Sequence, residues 1–322
     1  MKRKMAFAAC AAALLLEAGA AKPAAAPAME LASLVELAPF AELTAKVRDF
    51  GTIIGNPIVP TLLLSMLQQS AVATYGNARS DAPMYILNYT DAAGGTAEAV
   101  VYPSVDRIAH KALANPGSER IGKDTLRLSS ESDAHGRYVV YSADGMFASF
   151  APTAALARQA LVDSAPGTQG SMPLARARLW SGGIRTISEA GRSASVTNNV
   201  ADMLKAFARL EVSLDLDDQG AVLAFSGRSR GVDRLLKDHL VQKLKESFSG
   251  LSGGDAALAP AISVKVADGG AVSGDVRLSR EQLKGMGRDF NSFVAAQMSG
   301  ALADEDDGKN KKKNLKVKES GR

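Results

Sequence analysis

Glu211-Val-Ser-Leu-Asp-Leu-Asp-Asp-Gln-Gly-Ala-Val-Leu-Ala-Phe-Ser-Gly-Arg228, running into Val232-Asp-Arg-Leu-Leu-Lys-Asp-His-Leu-Val-Gln-Lys-Leu244, decides the fold. Val212, Leu214 and Leu216 alternate with Glu211, Ser213 and Asp215, the period of two expected of a strand with one wet face. Asp217, Asp218 and Gly220 supply a turn, because Asp and Gly tolerate positive φ. Ser229 is placed to cap a helix that carries Val232, Leu236, Leu240, Leu244 and Phe248 on one stripe. The phrase is therefore a β-hairpin followed by an amphipathic helix.

The phrase recurs. Ile262, Val264 and Val266 alternate with Ser263, Lys265 and Ala267; Asp268-Gly269-Gly270 turns the chain, and Val272, Val276 and Leu278 return it. Ser279-Arg-Glu-Gln282 is a capping box before Leu283, Met286, Phe290, Phe293 and Met298. Upstream, residues 137–151 form a hairpin around Asp144-Gly145, with Leu156, Ala160 and Leu161 in the helix behind it. A looser copy has strands at 84–89 and 97–102, Gly94-Gly95 in its turn, and a helix from Ser104 through Val105, Ile108 and Leu113. Four copies in one order point to duplication, and their uneven spacing suits two lobes better than a solenoid.

The expected fold class is α+β: two similar lobes, each a mainly antiparallel sheet with helices on one face, in β-β-α-β-β-α order. The expected organisation is a signal peptide at 1–20, a leader with N-terminal helices at 21–80, and a first lobe at 81–165. A linker with an extra strand and a helix at 166–210 leads to a second lobe at 211–300 and a disordered charged tail at 301–322. Within these, 29–47 reads as a helix kinked at Pro39, and 53–72 as an apolar helix interrupted by Asn56, Pro57 and Pro60. The stretch 174–180 reads as a strand, and 198–210 as a helix with Val200, Met203, Leu204 and Phe207 on one stripe.

The N-terminus has the three parts of a secretory signal: Lys2-Arg3-Lys4, a short apolar run to Leu16, and Ala18-Gly-Ala20. The run is too short to span a membrane, and no spanning segment is expected in the mature chain. Cys10 is the only cysteine, so cleavage after Ala20 leaves none for catalysis, metal ligation or disulfides. The formal charge is +4, of which the signal and the tail from Asp304 carry +2 each, leaving a nearly neutral body. The high pI thus comes from the ends, and specific nucleic-acid binding is not expected. Aromatic residues, at 5%, are too sparse for a base-stacking platform or a carbohydrate-binding face.

Candidate chemistry is thin. Gly250-Leu-Ser252-Gly-Gly254 has the spacing of a nucleophile elbow, but a helix precedes it and a loop follows, where the mechanism needs strand and then helix. His110, His135 and His239 have no metal-ligand spacing. Asp215, Asp217 and Asp218 resemble part of a calcium loop without its glycine and distal Glu, and a hairpin turn accounts for them. Arg176, Arg178, Trp180 and Arg185 form a possible anion- or partner-contacting edge, and Lys311, Lys312 and Lys313 a second one in the tail. No cofactor or metal is expected.

These readings converge on an exported, non-catalytic bacterial envelope protein, periplasmic or secreted, that binds or scaffolds a macromolecular partner, an envelope protein or an anionic polymer. The alternatives are a hydrolase whose site assembles only in three dimensions and a carrier of an apolar ligand built on 53–72.

Overall fold

The computed structural model describes residues 29–53, 55, 79–103, 118–128, 138–165, 172–185, 204–230, 236–248, 260–267 and 269–285. The expected segments at 1–20, 56–72, 104–113, 250–254 and 286–322 lie outside them.

Twelve strands form one antiparallel sheet: β1 (Glu30–Leu37), β2 (Met84–Thr90), β3 (Thr96–Pro103), β4 (Glu119–Arg120), β5 (Thr125–Arg127), β6 (Tyr138–Tyr141), β7 (Phe147–Ala151), β8 (Ala175–Leu179), β9 (Phe207–Asp217), β10 (Gly220–Ser229), β11 (Ala261–Val266) and β12 (Ala271–Ser279). Their order is β11-β12-β10-β9-β8-β1-β2-β3-β7-β6-β5-β4. Among the described residues three longer helices accompany them, α1 (Phe40–Ile53), α2 (Ala154–Ser164) and α3 (Leu236–Phe248), with short helical stretches at 181–185 and 280–285. The chain is α+β with a large antiparallel sheet. The strands expected in two sheets hydrogen-bond into one, because β1 and β8 fill the gap between β2 and β9.

All four expected hairpins are present: β2–β3, β6–β7, β9–β10 and β11–β12. Of the glycines expected in the turns, Gly94, Gly145, Gly220, Gly269 and Gly270 take positive φ, while Asp268 lies outside the described residues. Asp91 Oδ1 accepts from the Gly95 amide at 2.7 Å, Asp144 Oδ1 from the Met146 amide at 2.9 Å, and Asp217 Oδ1 from the Gly220 amide at 2.9 Å. Gly220 must be glycine: its φ is +148°, and a β-carbon would strike the Leu278 carbonyl.

Two expected helices are corrected. Residues 30–37 form β1, and the helix begins only after Pro39, as α1. β1 is buried on both faces through most of its length, so its sequence lacks the alternation of a half-wet strand, and Leu31, Leu34 and Val35 imitate helical spacing. The stretch 207–210 opens β9, with Phe207 and Leu210 buried in a core shared with β12. Burial from both layers overrides the local stripe. The extra strand predicted at 174–180 is β8. The capping box also forms: the Ser279 amide donates to Gln282 Oε1 and the Gln282 amide to Ser279 Oγ at 3.3 Å. Ser229 itself belongs to β10.

The register assigns each side chain to a face. One face, here the front, carries Leu34 and Glu36, Tyr85, Leu87 and Tyr89, and Ala99 and Val101 on one side of the seam. On the other side it carries Arg176 and Arg178, then Glu211 and Ser213. In the N-terminal half α2 covers this face: Leu156, Ala157 and Ala160 pack on Tyr85, Leu87, Tyr89, Val101 and Val140. Thr153 caps α2 by accepting from the Leu156 amide at 3.1 Å. The rear face of that half holds a second buried cluster, including Tyr102, Val139 and Phe150. In the C-terminal half the covering helix changes sides. Leu240 and Leu244 of α3 pack on Leu210, Val264, Val272 and Val276 of the rear face. The front face of this half carries the polar set of the hairpins.

Tyr89, fully buried under α2, donates its hydroxyl to Asp163 Oδ2 at 2.9 Å. Burial first, then the hydrogen bond and charge of Asp163, push its phenol well above the ordinary range. The raised folded pKa sets the sign: this contribution is complete below the unfolded value of about 10 and is lost as pH rises above it. Urea unfolding of the wild type between pH 8 and pH 11 is expected to show a loss at the alkaline end. Tyr89→Phe, less stable at pH 8 for want of the hydrogen bond, is expected to show a shallower loss. Parallel profiles would refute the assignment.

Candidate functional site

The front face of the C-terminal half is a grid of cross-strand rows. The outermost row runs Trp180, Arg209, Arg228 and Ala271. The next runs Arg178, Glu211, Ser226, Ser273 and Lys265, and the third Arg176, Ser213, Ala224, Asp275 and Ser263. The hairpin alternation explains why these residues are polar: Val212, Leu223, Val272 and Val264 take the rear, so their neighbours face outward.

The inner border of the grid is neutralised within the sheet. Glu36 on β1 is 4% exposed. Its Oε2 lies 3.4 Å from the Arg176 guanidinium and 3.9 Å from that of Arg178. Glu211 on β9 completes the cluster, at 3.6 Å from Arg176 and 3.3 Å from Arg178. The four side chains clamp β1, β8 and β9 together, and both arginines expected at an anion-binding edge are engaged by carboxylates.

At the sheet end, Lys46 of α1 reaches Asp215 Oδ1 at 2.6 Å and Glu42 at 3.3 Å. Burial pulls the Lys46 ammonium down, but the two carboxylates outweigh it and hold its pKa above the ordinary value. Asp215 is thus committed to an ion pair and Asp217 to its turn, which accounts for two of the three acids of the calcium-like cluster. Among the described residues no group of His, Cys, Asp or Glu could hold a metal ion. His239 is exposed on α3; His110 and His135 lie outside the described residues.

The outer border is different. Arg209, Glu211, Ser226, Arg228, Lys265, Ala271 and Ser273 line an open depression of about 670 Å³. Arg209, Arg228 and Lys265 are exposed. The Arg209 guanidinium carbon sits 5.7 Å from the Trp180 ring centroid, a cation–π contact. Trp180 also packs against the α2-covered core, and so marks the boundary between the closed and open parts of the front face. Arg185 is exposed at the end of the helical turn 181–185 and is not among the lining residues; Lys311, Lys312 and Lys313 lie outside the described residues. Of the candidates read from sequence, the structure joins Arg176 to Arg178 and brings Trp180 to the depression's rim. Arg209, Arg228 and Lys265 were not singled out. Arg228 and Lys265 stood in view as outward positions of their hairpins, whereas Arg209 fell inside the expected helix.

Among the described residues no helix is long and apolar enough to cross a membrane. No protein-family model matches the chain, and no curated protein matches it. A solved structure, TP0453 in its crystal form I, is similar at 10% identity and a TM-score of 0.39, over 82% of this chain and 98% of that one.

Proposed function

We propose that this is an exported, non-catalytic protein of a bacterial cell envelope that binds a macromolecular partner through the front face of its C-terminal half. The observation that carries the reading is that face itself. It is an open grid of mostly polar side chains spread over five strands, where the same face of the N-terminal half is closed by α2. A hydrolytic site calls for a nucleophile and base converging in a cleft, and an apolar carrier for an enclosed apolar cavity. A shallow, open depression bordered by arginine, lysine, serine and glutamate, with small and apolar residues between them, suits surface recognition better than either. The secretory pattern of residues 1–20 supports export to the periplasm or beyond. Equal strand order in the two halves, β2-β3-β7-β6 and β9-β10-β12-β11, supports reading them as two copies of one unit. On that reading one copy has become the scaffold and the other carries the interaction surface.

Affinity capture from envelope fractions tests this, with residues 21–322 as bait beside a version ending at Leu302. A reproducible partner is expected on both, and is expected to be depleted by Ser273→Trp, which places a bulky ring in the depression. Capture of nothing, or capture that depends on the tail alone, would overturn the reading.

A further inference from the structure

Resting on that binding reading, we infer that the depression between Arg209, Arg228 and Lys265 is a site for a compact dianion, the phosphate or phosphoester group of the ligand. The register puts Arg209 on β9 directly opposite Arg228 on β10. Like charges at directly opposed positions of an antiparallel pair destabilise it, and neither side chain is in an ion pair with a described residue. Lys265 stands at the far end of the adjoining row, with Ser226 and Ser273, themselves an opposed pair, between it and Glu211. The carboxylate in the depression, Glu211, is bound to Arg176 and Arg178, so among the described residues the three cations have no carboxylate of their own.

A phosphate fits this set better than a carboxylate does. Two guanidinium groups and an ammonium offer many donors, and the two serine hydroxyls offer more; a phosphate has the charge and the acceptor oxygens to use them. The site also limits the ligand's extent. In the third row Arg176 is already paired, Ser213, Ala224 and Ser263 are neutral, and Asp275 is acidic. Beyond that row Arg277 is paired with Asp275, and past the outermost row the Arg230 guanidinium donates to the Phe207 carbonyl. A long polyanion running across the third row finds no unpaired cation there, whereas a single phosphoester at the depression has three beside it.

The test is calorimetric titration of residues 21–322 with inorganic pyrophosphate. The expected result is saturable binding that weakens at least about tenfold in Arg228→Ala/Lys265→Ala, and is unchanged in Arg277→Ala, an exposed cation on β12 paired with Asp275. Arg228→Ala alone is expected to unfold at no lower urea concentration than wild type, because it removes an opposed like charge. No binding, or equal weakening in Arg277→Ala and the double variant, would overturn the inference. Vesicles of phosphatidylcholine with phosphatidic acid identify the source of the phosphate. Co-sedimentation that pyrophosphate competes away supports a lipid headgroup; no co-sedimentation beside a positive titration supports a soluble or polymer-borne phosphoester; co-sedimentation that the double variant retains counts against the site. If pyrophosphate fails to bind while partner capture persists, the phosphate inference falls and the binding reading stands. Titration without capture does the reverse.

Discussion

Phe207→Ala is expected to cost about 3–5 kcal/mol of unfolding free energy, the largest loss of any single truncation considered for this chain. Phe207 is 1% exposed, at the start of the strand that carries the chain into the C-terminal half. It packs in the rear core with Leu204, Leu210 and Leu240, and its ring occupies the space left by the missing side chain of Gly227, where a β-carbon would meet Phe207 Cδ1 at 2.9 Å. Alanine therefore empties a volume bounded by a strand, a helix and a glycine, none of which can grow to fill it. Urea unfolding followed by far-UV circular dichroism measures the loss. Phe207→Leu, which refills part of the volume, should recover more than half of it. A loss under about 1 kcal/mol for alanine would mean that the residue lies on a surface.

Glu36→Ala is the second. Its carboxylate is buried at the seam, between Arg176 and Arg178. Removing one partner of a buried ion pair typically costs about 3–5 kcal/mol, because the other charge stays desolvated. Here Arg176 and Arg178 are 25% and 33% exposed and keep Glu211, so about 2–3 kcal/mol is the reasoned figure. Glu36→Gln, which retains an acceptor oxygen, should lose less. The sharper check is a double-mutant cycle: removing Arg176 as well should recover part of the loss, since the stranded charge goes with it. Strict additivity would show that the cluster does not act as a unit.

These two residues also mark where the sequence stops being readable. Hairpins could be read directly, because each is a local object. Strands such as 212–216 bury one face and display the alternation, and Asp144-Gly145 and Asp217 through Gly220 announce their turns. The strand β1 was hidden because burial on both faces erased its period, leaving Leu31, Leu34 and Val35 at helical spacing. Glu36, a carboxylate amid those apolar residues, was the one sign that an ionic partner awaited it. Phe207 misled for a related reason: with Leu204 it makes a helical pair, although the chain changes to strand between them. The fusion of the halves into one sheet rests on β1–β8 pairing, a contact about 140 residues long in sequence that no local pattern encodes.

The candidate site was less legible than the fold. The Arg176 and Arg178 cluster was visible as basic alternation on one strand, but its carboxylates came from β1 and β9. The depression depends on the register of three pairings, β9–β10, β10–β12 and β12–β11, two of them between adjacent hairpin strands and one between hairpins. Only when all three are fixed do Arg209, Arg228 and Lys265 surround one space.

The most direct test of the central claim, that the open front face is the interaction surface, is site-specific photo-crosslinking in cells. A benzophenone amino acid would replace Ser263, exposed and neutral on the front face one row from the depression, and, as a control, Val162, which is 71% exposed on α2. A discrete crosslinked species is expected from position 263 and none from position 162. No product from 263, or the same product from both positions, would contradict it.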